Sequence, residues 1–289
     1  MNRPTLGWVG AGRAASGMAR ALAARGWRIE TVTSRDGDSA RVLAESVGAR
    51  ATADPAAVGG DLVILAVPDG AIAEVAARLA EPPASWAGRA VVHTSGATEI
   101  AVLEPLAARS AQIGGLHPAY PFSSDRTLTP PLSGVTFAVE ADSDPLRAWL
   151  TALVDSLDGK LLTLPPGARP VYHAALVFAS NYTITLIGLA ARLMERFGAS
   201  PDAAKGALDS LVAGMVENVR REGAVAALPG PLARVDLGTL AAHMRALGQL
   251  DSDTARLYAE LARATYPILR ARGVSMDRLA AIERALGEE

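Results

Sequence analysis

The chain has 289 residues, half of them hydrophobic and a fifth charged, with a formal net charge of −2. That is apolar material for one large or two ordinary domains, and it excludes wholesale disorder. The charge balance gives no reason to expect a nucleic-acid or membrane-surface partner, and the absence of cysteine excludes disulfides, thiolate catalysis and thiolate-held metal centres.

Apolar runs bounded by turn residues predict strands at residues 6–9, 29–33, 61–67, 90–93 and 112–116. Helical spacing fills the gaps at residues 14–24, 39–47, 71–79 and 99–108, with Gly26 and Gly48 where helix ends favour positive φ. Such alternation means a parallel sheet with helices on both faces. Residues 135–139 and 160–164 add two strands around a helix at 145–157. After Pro165-Pro166 the pattern is helical, with helices near 171–197, 202–221, 236–247, 252–272 and 276–286. The expected fold is α/β: a Rossmann-type, doubly wound parallel sheet over residues 1–164, then an all-α domain over residues 165–289. Residues 171–191 carry no Asp, Glu, Lys or Arg, and they approach the roughly 20 residues needed to span a bilayer. His173, Ser180, Asn181, Thr183 and Thr185 lie along that stretch. Such polar content is expensive in lipid, so a buried central helix of a soluble protein is expected instead. The first strand leads at once into a glycine motif, so no secretory signal is expected and the location is read as cytoplasmic.

The motif is Gly10-Ala11-Gly12-Arg13-Ala14-Ala15, with Gly17 two residues on. It fits G-x-G-x-x-G/A and stands between a strand and a helix, the context in which backbone approaches a pyrophosphate at a helix N-terminus. Gly10, Ala11, Gly12, Arg13 and Ala14 are therefore candidate cofactor contacts. The second strand ends in Thr33-Ser34-Arg35, not in an acidic residue. A hydroxyl followed by a guanidinium suits a 2′-phosphate, so Ser34 and Arg35 point to NADP rather than NAD. Asp36 alongside weakens that distinction, and a solvated turn is the bland alternative for Arg35. Val67-Pro68-Asp69 ends the third run at the crevice where a cofactor crosses; Asp69 is expected to cap the following helix.

The chain has four histidines, His93, His117, His173 and His243. His93 and His117 close two strand runs and so fall at the carboxyl edge of the sheet. On the long helix His173, Val177 and Asn181 stand at i, i+4 and i+8, with Ser180 almost above His173. This row either lines a substrate site or is a polar seam satisfied by a neighbouring helix. Arg234 precedes a helix bearing Thr239 and His243, for which Asp236 is a plausible N-cap. Arg234 either clamps a carboxylate or ties its loop to a helix end. No metal is expected, since cysteine is absent and no H-E-x-x-H spacing occurs. Neither Lys160 nor Lys205 has a tyrosine four residues before it, which excludes a Tyr-x-x-x-Lys mechanism.

Residues 10–13, 67–69, 93–97, 116–118, 172–175 with 179–182, and 230–243 together resemble the Rossmann-like proteins of the DUF2520 family. These are relatives of pyrroline-5-carboxylate reductase, ketopantoate reductase and 6-phosphogluconate-dehydrogenase-like oxidoreductases. The resemblance implies an NADP-binding domain, a helical substrate and dimerisation domain, and a homodimer acting on a small molecule. It implies an NADPH-dependent reductase of a small, ketopantoate-like 2-oxo acid, working in a cleft between the domains. The alternatives are an imine reductase of the pyrroline-5-carboxylate type and a non-catalytic NADP(H) sensor. One departure matters. Relatives carry Lys-x-x-x-Asn on the long helix, and here Asn181 fills the Asn place while Val177 stands four residues before it. His173 is then the first expected proton donor and His117 the second. Ser95 and Asn181 would hold the polarised group, and Tyr172 and Arg234 the substrate.

Overall fold

The computed structural model describes residues 3–82 and 85–287. The chain packs as two compact units, Met1–Thr183 and Ile184–Glu289. The expected division at residue 164 falls instead between the last strand and the helix after it, both inside the first unit.

The first unit alternates β1 (Leu6–Val9), α1 (Arg13–Ala24), β2 (Ile29–Thr33), α2 (Gly37–Val47), β3 (Arg50–Thr52), β4 (Leu62–Leu65), α3 (Ile72–Leu79), β5 (Ala90–His93), α4 (Glu104–Ala107), β6 (Gln112–Pro118), β7 (Thr136–Ala141), α5 (Asp144–Ser156) and β8 (Lys160–Thr163). The strands form one sheet in the order β3-β2-β1-β4-β5-β6-β7-β8. Pairing is parallel from β3 through to β6; β7 then runs antiparallel to β6, and β8 is parallel to β7. Side chains alternate between the two faces of each strand. Leu6, Trp8, Ile64 and Val92 meet Met18 and Leu22 of α1 and Leu150 of α5 on one face. Val9, Val63, Leu65 and Val91 meet Ile72, Ala76 and Leu79 of α3 on the other. Cover on both faces explains why these strands read as continuous apolar runs.

β3 was not expected. Arg50 and Ala51 are exposed at the sheet edge and offer no apolar run to read. The helix expected at 99–108 is a 3₁₀ turn, Ile100–Leu103, that passes into the short α4.

The long helix consists of α6 (Arg169–Val177), a π-helical turn Phe178–Tyr182, and α7 (Thr183–Glu195). It is not the buried central helix that its lack of charge suggested. None of its most apolar stretch is buried. Val171, Phe178 and Ile184 are 75%, 69% and 67% exposed. By length and composition the run from Arg169 to Glu195 could cross a membrane.

The second unit continues with α8 (Pro201–Ala227), α9 (Gly230–Arg234), α10 (Leu237–Leu250), α11 (Ser252–Ala264), α12 (Tyr266–Ala271) and α13 (Met276–Ala285). α8 is broken at Gly223, where φ is +77°. The single helix expected over 252–272 divides at Thr265, because Pro267 in the next turn has no N–H to extend the ladder. Leu240, Ala259, Ala262, Leu269 and Ile282 form the core of this unit.

Candidate active site

Gly10 adopts φ +109°, and a Cβ there would stand 2.2 Å from the Ala66 carbonyl oxygen. Only glycine fits, so the tight turn after β1 is fixed by sterics. Gly12 differs: a Cβ on it would meet nothing within 4 Å. Its glycine is not required by the packing of the protein, and the space before it is open. α1 begins here without a side-chain cap and without an acidic residue in its first turn. Its free N–H groups and the positive end of its dipole therefore suit an anion.

A cavity of about 470 Å³ lies in front of this turn. It brings together Gly10, Ala11, Gly12, Ser34, Arg35 and, on the far wall, Val67 with Pro68. The Thr33 hydroxyl on β2 also borders it, buried and without a hydrogen-bond partner. A cavity of mixed apolar and polar lining, with a buried unpartnered hydroxyl and an uncapped helix start beside it, fits a dinucleotide. Arg13, Ala14 and Asp69 are not part of its lining. Arg13 instead borders a separate hollow with Tyr120 and Phe122. Asp69 does not cap a helix with its side chain: it opens the 3₁₀ turn Asp69–Ala71 ahead of α3. Ser39 and Arg126 do line the cavity. The sequence reading missed both, since Arg126 lies far along the chain in a loop without a motif.

A second polar group gathers at the carboxyl ends of β5 and β6. His93 closes β5 and is completely buried, with neither ring nitrogen partnered. Burial, then the positive charge of Arg169, push its pKa down to about 3, with the Glu99 backbone acting weakly the other way. His117 on β6 places Nδ1 2.9 Å from the Tyr172 hydroxyl. Burial, then His173 and Arg169, hold the His117 imidazole at about 4, while Asp69 opposes them. Burial also raises the Tyr172 phenol. His173 packs edge-on to His117 at 6.1 Å, with its Nδ1 buried and unpartnered. A Cβ on Gly96 would lie 2.6 Å from His173 Nδ1 and 3.0 Å from His117 Nε2. The two imidazoles thus converge over a residue that has no side chain.

Arg169 anchors this arrangement and was not foreseen. It is fully buried in the first turn of α6. Its Nε donates to Glu140 Oε2 at 2.7 Å and its Nη1 to the Ser95 carbonyl at 2.7 Å. Nη2 has no partner and lies where a Cβ on Gly115 would be, 1.8 Å away.

Ser95 is held by its own loop. Its hydroxyl donates to Thr98 Oγ1 at 2.9 Å and accepts from the N–H groups of Ala97 and Thr98 at 3.2 and 3.0 Å. Those three bonds use the hydroxyl's one donor and two acceptor positions. Asn181 is exposed on the π turn. That turn changes the angular step, so the expected row from His173 to Asn181 is not one continuous α-helical ridge. In the second unit Asp236 caps α10 as expected, accepting from Thr239 N at 3.1 Å and Thr239 Oγ1 at 2.8 Å. Arg234 is exposed at the end of α9, next to Val235, whose φ of +54° is uncommon for a β-branched residue. His243 pairs with Tyr258 at 3.0 Å in that unit.

This strand order, with a glycine turn after β1, defines a Rossmann-type α/β domain followed by a helical region. Residues 1–118 match the Rossmann-like domain family and residues 135–265 match the domain of unknown function DUF2520. A candidate NADP oxidoreductase of Bacteroides fragilis is 29% identical, with a TM-score of 0.73 over 91% of this chain and 97% of that one. A Thermotoga maritima protein is 23% identical, with a TM-score of 0.76 over 93% and 100%. A pyrroline-5-carboxylate reductase of Coxiella burnetii shares the fold at 18% identity and a TM-score of 0.59 over 100% of both chains. An NADP(+)-dependent shikimate dehydrogenase of Oleidesulfovibrio alaskensis is 42% identical over 83 residues. That match spans 28% of this chain and 30% of that enzyme.

Proposed function

We propose that the protein is an NADPH-dependent reductase of a small 2-oxo acid of the ketopantoate kind. The observation that carries this reading is the convergence of His117, Tyr172 and His173 at the sheet edge that also bears the open glycine turn. Gly10, Ala11, Gly12 and the start of α1 would hold the diphosphate, and Ser34 with Arg35 the phosphorylated ribose. Bound reduced nicotinamide supplies a hydride, and the residues of this chain supply the matching proton. His173 is the first donor. With its Nδ1 closed off against Gly96, donation runs through Nε2. His117 backs it, with Tyr172 fixed on the far nitrogen.

A separate observation favours a C=N substrate as the second reading. His117 is held neutral at physiological pH, so it adds little acid strength. An iminium arrives already protonated and needs less. Purified protein with NADPH, offered a panel of 2-oxo acids and cyclic imines, separates the two by which class consumes the cofactor. His173→Ala is expected to lower kcat by about a hundredfold while NADPH affinity holds. A wild-type turnover number in that variant removes His173 from the chemistry. Tight NADPH binding with no turnover across the panel supports the sensor reading instead.

We also propose a homodimer. Leu211, Met215 and Val219 stand at i, i+4 and i+8 on α8 and are 68%, 40% and 39% exposed, and an apolar stripe of that kind is a common mark of association. Sedimentation of the purified chain as a monomer at micromolar concentration would remove this proposal.

A further inference from the structure

The loop joining β6 to β7, residues 119–135, has no regular secondary structure and crosses the outside of α1. It is firmly seated. Phe122 packs on the bare face of Gly17, where a Cβ would come within 2.7 Å of the ring, and Tyr120 meets Phe122 edge-on at 5.2 Å. Leu132 is in the core. Asp125 closes a turn by accepting from Thr127 N at 2.9 Å and Thr127 Oγ1 at 2.6 Å. Arg20 of α1 donates its Nε to the Arg126 carbonyl at 3.2 Å. The main chain at Arg126 is therefore held against α1, and its side chain lines the nucleotide cavity.

Within the cavity the Arg126 guanidinium makes two long contacts through one nitrogen, to the Ala11 carbonyl at 3.4 Å and to Ser39 Oγ at 3.3 Å. A guanidinium has five N–H donors in a planar fork. Arg126 lines the cavity together with Ser34, Arg35 and Ser39, and among the described residues its other nitrogen donors meet no hydrogen-bond partner. Two acids, Asp36 and Glu74, also line the cavity. Asp36 accepts from the Ser39 hydroxyl, and that bond chiefly lowers its pKa. Asp38 faces Arg41 on its own helix at 3.6 Å. Arg35, Arg78 and Arg126 thus line one cavity with the Ser34 and Ser39 hydroxyls, outnumbering the two acids there.

We propose that Arg126 is a coenzyme-specificity residue, completing a phosphomonoester subsite with Arg35 and gripping the 2′-phosphate of NADP. The proposal rests on the NADPH reading above and extends it to a residue that no nucleotide motif contains. Arg126 fixes the choice of coenzyme from a loop that is itself tied to α1. The diphosphate stays with the glycine turn, so losing Arg126 weakens only ligands that carry the 2′-phosphate.

The experiment measures binding of NADPH, NADH, 2′,5′-ADP and 5′-ADP to the full-length protein by calorimetry, for the wild type, Arg126→Ala and Arg126→Lys, with melting temperatures as a check on folding. Arg126→Ala is expected to weaken NADPH and 2′,5′-ADP by about 10–100-fold, the loss of a charge-assisted hydrogen-bond pair. NADH and 5′-ADP should stay within about twofold, because the affected bonds go only to the 2′-phosphate. Arg126→Lys should keep part of the affinity, retaining the charge but not the fork. Equal weakening of all four ligands, or no weakening of any, overturns the assignment while leaving the coenzyme reading intact. Failure of the wild type to bind any of the four overturns both.

Discussion

Arg169→Met tests the buried pair at the base of the histidine group. Arg169 is wholly buried and Glu140 is 6% exposed, and their 2.7 Å contact ties α6 to β7. Removing the guanidinium leaves a buried carboxylate without its counter-charge and the Ser95 carbonyl without its donor. Breaking one side of such a pair costs about 3–5 kcal/mol. For a unit of this size that is a fall in Tm of roughly 6–20 °C. Replacing both partners with apolar residues of similar volume removes the stranded charge. Arg169→Met with Glu140→Leu should therefore recover most of the loss. Chemical denaturation of the wild type, both single variants and the double variant measures the coupling. Arg169 also depresses His93 and His117, so imidazole titrations by NMR should move upward in the double variant. A single variant that loses under about 1 kcal/mol, or a double variant no better than the single, would refute the reasoning.

Gly10→Ala and Gly12→Ala should separate fold from ligand. The first is strained by φ +109° and the Ala66 carbonyl and should melt well below the wild type. The second has free space and should keep its Tm while losing at least about tenfold in NADPH affinity, roughly 1.4 kcal/mol. Stability should also depend on acid. Below pH 6.5 the unfolded chain takes up a proton that folded His117 refuses until about pH 4. His117 therefore contributes full stability above pH 6.5 and loses it as pH falls toward 4, by on the order of 3 kcal/mol. His93 acts in the same direction down to about 3. Urea melts across that range should show falling midpoints and a flatter slope in His117→Gln; midpoints that rise with acid would contradict the assignment. Gly96→Ala should push both imidazoles apart, lowering turnover while NADPH still binds.

Much of the sheet could be read from the chain because its strands are covered on both faces. β1, β2 and β5 begin and end where their apolar runs do. β3 was invisible because an exposed edge strand of Arg50, Ala51 and Thr52 has nothing apolar to signal it. The reversal at β7 was equally hidden, since an isolated apolar run carries no information about direction. The glycine turn was legible because local sterics decide it. Arg126 and Arg169 were not, because their importance comes from loops and strands that fold back on them from far along the chain. In a sequence whose basic residues are almost all arginine, neither stands out. Ser95 misled for the opposite reason: a hydroxyl beside a histidine reads as chemistry, yet its bonds close its own turn.

The guanidinium of Arg169 occupies the place a side chain at 115 would take, and two imidazoles share the place of one at 96. The histidine corner of this fold is therefore shaped by vacancies as much as by groups. A single methyl at either position would run into a nitrogen, Arg169 Nη2 at 115 and His173 Nδ1 at 96. Relatives that keep their histidines but lose either bare position would have surrendered the arrangement all the same. Tracking those two glycines is a better guide to which members keep this geometry than counting imidazoles.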